Sequence, residues 1–298
     1  MKLKAWFLAT RPNFLLLPVV LAFLGTSIAW RDGAAIYPGK ALLAFLGLLL
    51  CHISVNVLNN YFDYKSGIDL ETRKTPFSGG SGILPRGLLS PRQVLWFGLI
   101  SFLLAVPIGV YFVRTAGWLL LPLVLVGALC ILLYTPFLTR LGWTEWAPGL
   151  GLGALPVLGF YFVQTSSYTL PAVVASVPSG ILVHNLLLLN EFPDAAVDKK
   201  AGRKTLPIVM GKARASIVYS VLTSLVYLWI AGAVIAELMP LFALIALLTL
   251  PLGVRAIRGA VKEREGIDEL VPAMRDNVLV ILLTQVLLGA GYILDTVL

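Results

Sequence analysis

Along this chain, apolar runs recur at a length set by the bilayer: a helix needs about 20 residues to cross a hydrocarbon core of about 30 Å. Nine runs meet that measure: Asn13–Trp30, Gly39–Tyr61, Pro91–Val113, Gly117–Tyr134, Ala147–Gln164, Leu170–Asn190, Ala213–Ala236, Met239–Ile257 and Asn277–Leu294. The seventh and eighth are divided only by the short stretch Glu237-Leu238-Met239-Pro240. The pattern predicts an all-α membrane protein, a bundle of nine transmembrane helices forming a single domain over residues 1–298.

The polar connections fix the orientation. With the N-terminus inside, 20 of the 23 Lys and Arg residues fall on the inner side, leaving only Arg31, Lys40 and Arg114 outside. Cationic loops stay on the cytoplasmic side, so the expectation is a multi-pass protein of a prokaryotic cytoplasmic membrane.

Two inner connections are longer than a bundle needs, Asp63 to Ser90 and Glu191 to Lys212, and they match each other. Asn59 aligns with Asn190 and Asp63 with Asp194 at an offset of 131, and Arg73-Lys74-Thr75 with Arg203-Lys204-Thr205 at 130. Four spans separate the loops, so both emerge on one face. That predicts two parallel halves, about 13–134 and 147–257, plus a final helix 277–294, around a shared central cavity.

Composition adds what the pattern leaves open. With 58% apolar and 13% charged residues and a mean hydropathy of +0.89, a water-soluble enzyme and a disordered chain are excluded. Cys51 and Cys130 both lie in apolar runs, which leaves no disulfide framework or metal-ligand spacing. The net charge of +8 belongs to loops that meet anionic lipid headgroups, not to a nucleic-acid surface.

The candidate chemistry lies in the matched loops. Asn56, Asn59 and Asp63 share one helix face at spacings of three and four, and Asp69 follows beyond Gly67, which is expected to end the helix. Asn190, Asp194 and Asp198 are spaced by four and form a second oxygen-bearing stripe, with Pro193 a candidate kink. Carboxylates and amides without His or Cys are a hard-ligand set suited to Mg²⁺, which completes its shell with water and substrate phosphate. Cations follow each cluster: Lys65, Arg73 and Lys74 after the first, Lys199, Lys200, Arg203 and Lys204 after the second. Acid, metal and Arg/Lys together hold a diphosphate and neutralise it as it departs. The glycine-rich run Phe77–Gly82 in the first loop offers backbone N–H groups to phosphate.

Single charges at span ends are ordinarily interfacial anchors, but two copies in register are not explained that way. His52 and His184, within spans, read as interhelical hydrogen-bonding groups, with catalysis the alternative. Tyr134 is a candidate to stabilise a cation through its ring, Glu145 a candidate on the acceptor side, and Arg11 an interfacial anchor within reach of phosphate.

At these residues the chain resembles the UbiA superfamily of intramembrane prenyltransferases, over essentially its whole length. The resemblance rests on the two Asp-rich motifs after the second and sixth spans. It also rests on the tail DKKAGRKTLPIVMG (Asp198 to Gly211) and on the opening ATRPNFLLLPVVLAFLG. The six-residue step from Asp63 to Asp69, with Lys65 and Gly67 between, is similar to the menaquinone branch, 1,4-dihydroxy-2-naphthoate prenyltransferase and its relatives. Asn60 and Glu191 depart from the family pattern, each keeping an oxygen, and so does the segment Thr75–Pro91.

The resemblance implies one Mg²⁺ at Asn59, Asp63 and Asp69 and another at Asn190, Asp194 and Asp198, the four aspartates being catalytic. It further implies that Lys65, Arg73, Lys199, Arg203 and Lys204 bind an allylic prenyl diphosphate, whose isoprenoid an electron-rich aromatic acceptor then takes; Tyr134 joins the substrate-binding set through its ring. The same chemistry on 4-hydroxybenzoate, homogentisate, a porphyrin or a glycerol-ether lipid remains an alternative. An ion- or phosphate-coupled transporter is the alternative of another class.

Overall fold

The computed structural model describes residues 2–262 and 264–298, and among them every regular element is helical. A short helix α1 (Lys2–Ala9) leads into α2 (Pro12–Arg31) through Arg11, whose left-handed backbone (φ 53°) makes the corner, with Pro12 opening the helix beyond it. Then follow α3 (Pro38–Lys65), the single turn α4 (Ile68–Glu71), α5 (Pro91–Thr115) and α6 (Leu120–Leu133). The second half holds α7 (Trp146–Thr165), α8 (Leu170–Lys200), the single turn α9 (Leu206–Val209), α10 (Lys212–Ile235) and α11 (Leu241–Lys262), and α12 (Ile267–Val297) closes the chain.

Eight of these helices are long and apolar enough to cross a membrane. The remaining expected span, Gly117–Tyr134, is the 14-residue α6, so the expected count of nine is not confirmed. The outward faces carry large apolar side chains in quantity, Leu42, Leu103, Leu125, Leu228 and Leu248 among them, a surface that lipid covers. The protein is a multi-pass membrane protein.

Three helices outrun the apolar runs that announced them, because apolar residues mark only the hydrocarbon depth while the helix continues into the headgroup layer. α3 gains a turn and carries Asp63. Gly67 (φ 84°) then ends it as expected, its N–H reaching the Tyr64 carbonyl. α8 runs ten residues further than Asn190 and keeps Asp194 and Asp198 on the same helix, which continues past Pro193. α12 begins ten residues before Asn277.

Between α7 and α8 the backbones almost touch: a β-carbon on Gly153 would lie 2.6 Å from the Ser179 carbonyl oxygen, and one on Gly149 2.8 Å from that of Gly180. Small residues give this close approach in a bilayer, where apolar burial drives little association. The core formed by Leu21, Leu24, Ile28, Leu182, Ile230 and Ile281 sits among α2, α8, α10 and α12. α8 is thereby the central pillar, and the C-terminal ends of α3 and α8 flank a cavity.

Candidate active site

Helical periodicity lays out one wall of this cavity. His52, Asn56, Asn59 and Asp63 follow each other on α3 at steps of four, three and four, and all four line it. The left-handed turn at Gly67 folds α4 back so that Asp69 also faces in. From α8 come Asn190, Glu191, Asp194 and Asp198, with Val183, Leu186 and Leu187 further from the mouth. Tyr134, at the end of α6, lines the same space. All six residues expected to hold metal therefore converge, as do Tyr134 and Arg203.

Arg203 bridges the two acidic clusters. One arm of its guanidinium binds Asp198 Oδ1 at 3.0 Å, and the other binds Asp63 Oδ1. Both carboxylates are buried, and both hold the Arg203 guanidinium firmly charged.

The other expected cations do not reach the cavity. Lys65 stands 200° around α3 from Asp63, Lys199 a quarter-turn past Asp198, and both are exposed, as is Lys204. Arg73 is turned away by a fork to Asp268, at 2.8 and 2.9 Å. The diphosphate-binding role expected of Lys65, Arg73, Lys199 and Lys204 thus has no support in their placement.

The second cation at the cavity is Arg11. Its Nε and Nη2 both donate to Asn60 Oδ1, at 3.0 and 2.8 Å, and the Asn60 amide donates to the Ala9 carbonyl. The same Oδ1 accepts the Ser81 backbone N–H at 3.2 Å. Asn60 is therefore turned away from the cavity and ties α1, Arg11 and the glycine-rich loop to α3. Its departure from the family pattern leaves the cavity's own oxygens untouched. The sequence offered Arg11 as an anchor within reach of phosphate, but its left-handed corner and its partner 49 residues away leave no local signal of its place at the cavity.

The glycine-rich loop roofs the site with Ser78, Gly79 and Gly80. At Gly80 (φ 68°) a β-carbon would sit 2.3 Å from Asp69 Oδ1, so only glycine lets the loop close over that carboxylate. Burial, and then the neighbouring Asp63, push Asp69 up to about 6 from its ordinary 3.8.

Several cavity oxygens are buried without a hydrogen-bond partner: Asp69 Oδ2, Asn190 Oδ1, Glu191 Oε2 and Asp194 Oδ1. Orphaned oxygens of this kind fit a hard divalent cation. Among the described residues no three acidic, His or Cys side chains converge on one point. Each cluster offers two carboxylates and an amide, a set that needs water and phosphate to complete an octahedral shell.

Glu145 lies behind this wall. It is fully buried, and its Oε1 accepts the Leu206 N–H at 2.6 Å, so it secures the loop that carries Arg203. His184 ties α8 to the loop before α7 and not to another helix: it accepts from Trp143 Nε1 at 3.0 Å, which leaves Nδ1 to donate to the neighbouring Asn185 Oδ1 at 3.2 Å. A second, apolar recess shares Phe14, Leu17, Phe77 and Leu186 with the cavity and leads between α2 and α12 at Val278, Ile281 and Leu282.

A sequence model of the UbiA prenyltransferase family matches residues 15–269. The chain belongs to the UbiA prenyltransferase family. Among its relatives is the 1,4-dihydroxy-2-naphthoate octaprenyltransferase of Bacillus subtilis (strain 168), 31% identical, the match covering 88% of this chain and 84% of that one. A solved structure concerning digeranylgeranylglyceryl phosphate synthase has the same fold, with a TM-score of 0.68 at 18% identity over 98% of this chain and 99% of that one. So does a UbiA homolog from Archaeoglobus fulgidus bound to GPP and Mg²⁺, with a TM-score of 0.63 at 14% identity over 95% and 99%. The protein is a membrane-embedded prenyltransferase, and the transporter alternative falls.

Proposed function

We propose that this UbiA-family enzyme transfers a polyisoprenyl group from an allylic diphosphate to 1,4-dihydroxy-2-naphthoate, with Mg²⁺ and with the site facing the cytoplasm. One observation carries the reading: two oxygen-bearing stripes from separate halves of the chain face each other, joined by Arg203, at the mouth of an otherwise apolar cavity. Two halves in parallel, each supplying one stripe, account for that opposition. The name of the Bacillus relative and the Asp63-to-Asp69 spacing support the acceptor. The Archaeoglobus structure supports the donor and the metal.

Asn59, Asp63 and Asp69 would hold one ion, and Asn190, Asp194 and Asp198 the other. Bound there, Mg²⁺ neutralises the diphosphate and makes it a better leaving group. Arg203 releases one or both aspartates and takes phosphate oxygens as a planar fork, and Arg11 faces the same group from α2. The apolar wall of Val55, Ile131, Leu152 and Leu187 keeps water from the allylic carbon, and the recess between α2 and α12 takes the tail towards lipid.

In the transfer, the C1–O bond breaks and diphosphate keeps its electron pair. C1 then bonds to the ring carbon that bears the carboxylate. That carboxylate leaves as CO₂, and its bonding pair returns to the ring.

The test is purified protein with Mg²⁺, geranylgeranyl diphosphate and a panel of aromatic acceptors, products read by mass spectrometry. The expected product is a prenylated naphthalenediol lacking the carboxylate. An adduct with a different acceptor alone overturns the acceptor. Absence of both adduct and diphosphate release, from folded protein and with several chain lengths, overturns the whole reading.

A further inference from the structure

Of the two α3 stripe residues outside the metal set, Asn56 is held by the Thr10 carbonyl and His52 is left without a task. It is fifteenth of the 28 residues of α3, close to mid-membrane, and it lines the cavity. Only 2% of its surface is exposed, and its Nε2 has no hydrogen-bond partner. It does not join helices, contrary to what its place within a span predicts. Leaving a buried polar atom unpaired is costly, and polar groups at this depth of a membrane protein serve a ligand or a pathway.

The position narrows the ligand. His52 stands eleven residues from Asp63, about 16 Å along the axis at 1.5 Å per residue, too deep for its ring to share the ions. Between them lies Asn56, whose Nδ2 is engaged by the Thr10 carbonyl at 3.0 Å. Val55, one turn along α3 from His52, lines the same cavity, with Ile131 and Leu152 adding to its apolar wall. An isoprenoid tail has nothing to offer an imidazole nitrogen. Of the two substrates, only the aromatic one carries polar atoms that lie beyond the diphosphate once its ring stands at C1.

Resting on the reading above, we propose that His52 is the acceptor-orienting residue, hydrogen-bonding a hydroxyl of the aromatic substrate through Nε2. It thereby selects hydroxylated rings and turns the reacting carbon towards C1.

Two measurements test this. In the first, steady-state kinetics compare wild type with His52→Leu and His52→Gln, whose terminal amide stands where Nε2 does. The expected result is a KM for the aromatic acceptor raised at least tenfold in His52→Leu and returned to within threefold in His52→Gln, with KM for the prenyl diphosphate within twofold throughout. An unchanged acceptor KM, or a change falling on the diphosphate or on chain-length preference, overturns the proposal.

In the second, which needs no variant to fold, wild type is given the acceptor and its two mono-O-methyl ethers. At least one ether is expected to lose tenfold or more in kcat/KM, and equal use of all three overturns the proposal. Wild type that makes no adduct from any aromatic acceptor defeats the proposed function instead, so the two failures are distinct.

Discussion

Replacing Arg203 with Ala would leave Asp63 and Asp198 facing one another with nothing between. The ion pairs are largely shielded: Asp198 is 2% exposed and Arg203 13%, with Asp63 at 9%. Removing one partner of a buried pair costs about 3–5 kcal/mol, and the lower figure applies at a cavity mouth where water reaches the freed carboxylates. In chelator, the variant should therefore unfold several degrees below wild type in detergent.

Added Mg²⁺ reverses the order of responses. In wild type the ions compete with Arg203 for both aspartates, whereas in Arg203→Ala the oxygens are free. If the full ~3 kcal/mol is released, Mg²⁺ affinity rises on the order of a hundredfold. At a fixed concentration well above Kd, that adds up to about 2.7 kcal/mol of linked stabilisation. Thermal unfolding followed across a Mg²⁺ titration measures this directly. The variant should show the lower midpoint without metal and the larger upward shift with it, while turnover falls because the diphosphate loses its guanidinium. Equal Mg²⁺ shifts in the two proteins would refute the competition, and an unchanged midpoint in chelator would refute the bridge itself.

Asp63→Ala and Asp194→Ala should each abolish turnover in a protein that still elutes as a folded particle in detergent, and exhaustive chelation should do the same reversibly; activity surviving either treatment contradicts the two-cluster site. Gly80→Ala places a methyl group where Asp69 Oδ1 now lies, 2.3 Å from the new carbon, and adds about 1–2 kcal/mol for the left-handed backbone. Its kcat/KM should drop at least tenfold with a raised requirement for Mg²⁺, measured in the same product assay. Lys65→Ala, Lys199→Ala and Lys204→Ala should each stay within about twofold of wild-type turnover, since these ammonium groups point to solvent and exposed charges contribute little; a tenfold loss in any one would bring that lysine back to the diphosphate.

What was legible in the sequence follows from how each feature is encoded. Apolar length revealed the spans because a bilayer imposes it, and it failed at α6, where a 14-residue helix stands in a run of 18. The acidic residues were legible because periodicity places Asn59 with Asp63, and Asn190 with Asp194 and Asp198, on single faces whatever the tertiary fold. The basic residues were not. Charge type and proximity in sequence promoted Lys65, Lys199 and Lys204, but the neighbour of a cavity residue points elsewhere, on α3 and α8 for the first two and in the loop after α8 for Lys204. Arg73 shows the other failure, its guanidinium taken by Asp268, 195 residues away. Arg11 is the converse, carried into the site by a left-handed corner and an amide on another helix.

The same asymmetry bears on catalysis. The chain could have filled its mouth with lysines, whose flexible charges would attract diphosphate from any direction. It presents two guanidiniums, one held by Asn60 and the other by the acids it must release. A planar fork loses less freedom per hydrogen bond than an ammonium on a mobile stem, and Arg203 is already ordered before substrate arrives. In that state it also offsets the charge of two buried carboxylates, which would otherwise repel each other across the gap. Diphosphate and Mg²⁺ therefore assist each other's entry: phosphate alone meets the acids, and the ions alone must displace Arg203. The arrangement predicts cooperative binding, visible as Mg²⁺ affinity that rises when a non-hydrolysable prenyl diphosphate analogue is present, and as a smaller rise in Arg203→Ala, where only the direct contacts between metal and phosphate remain.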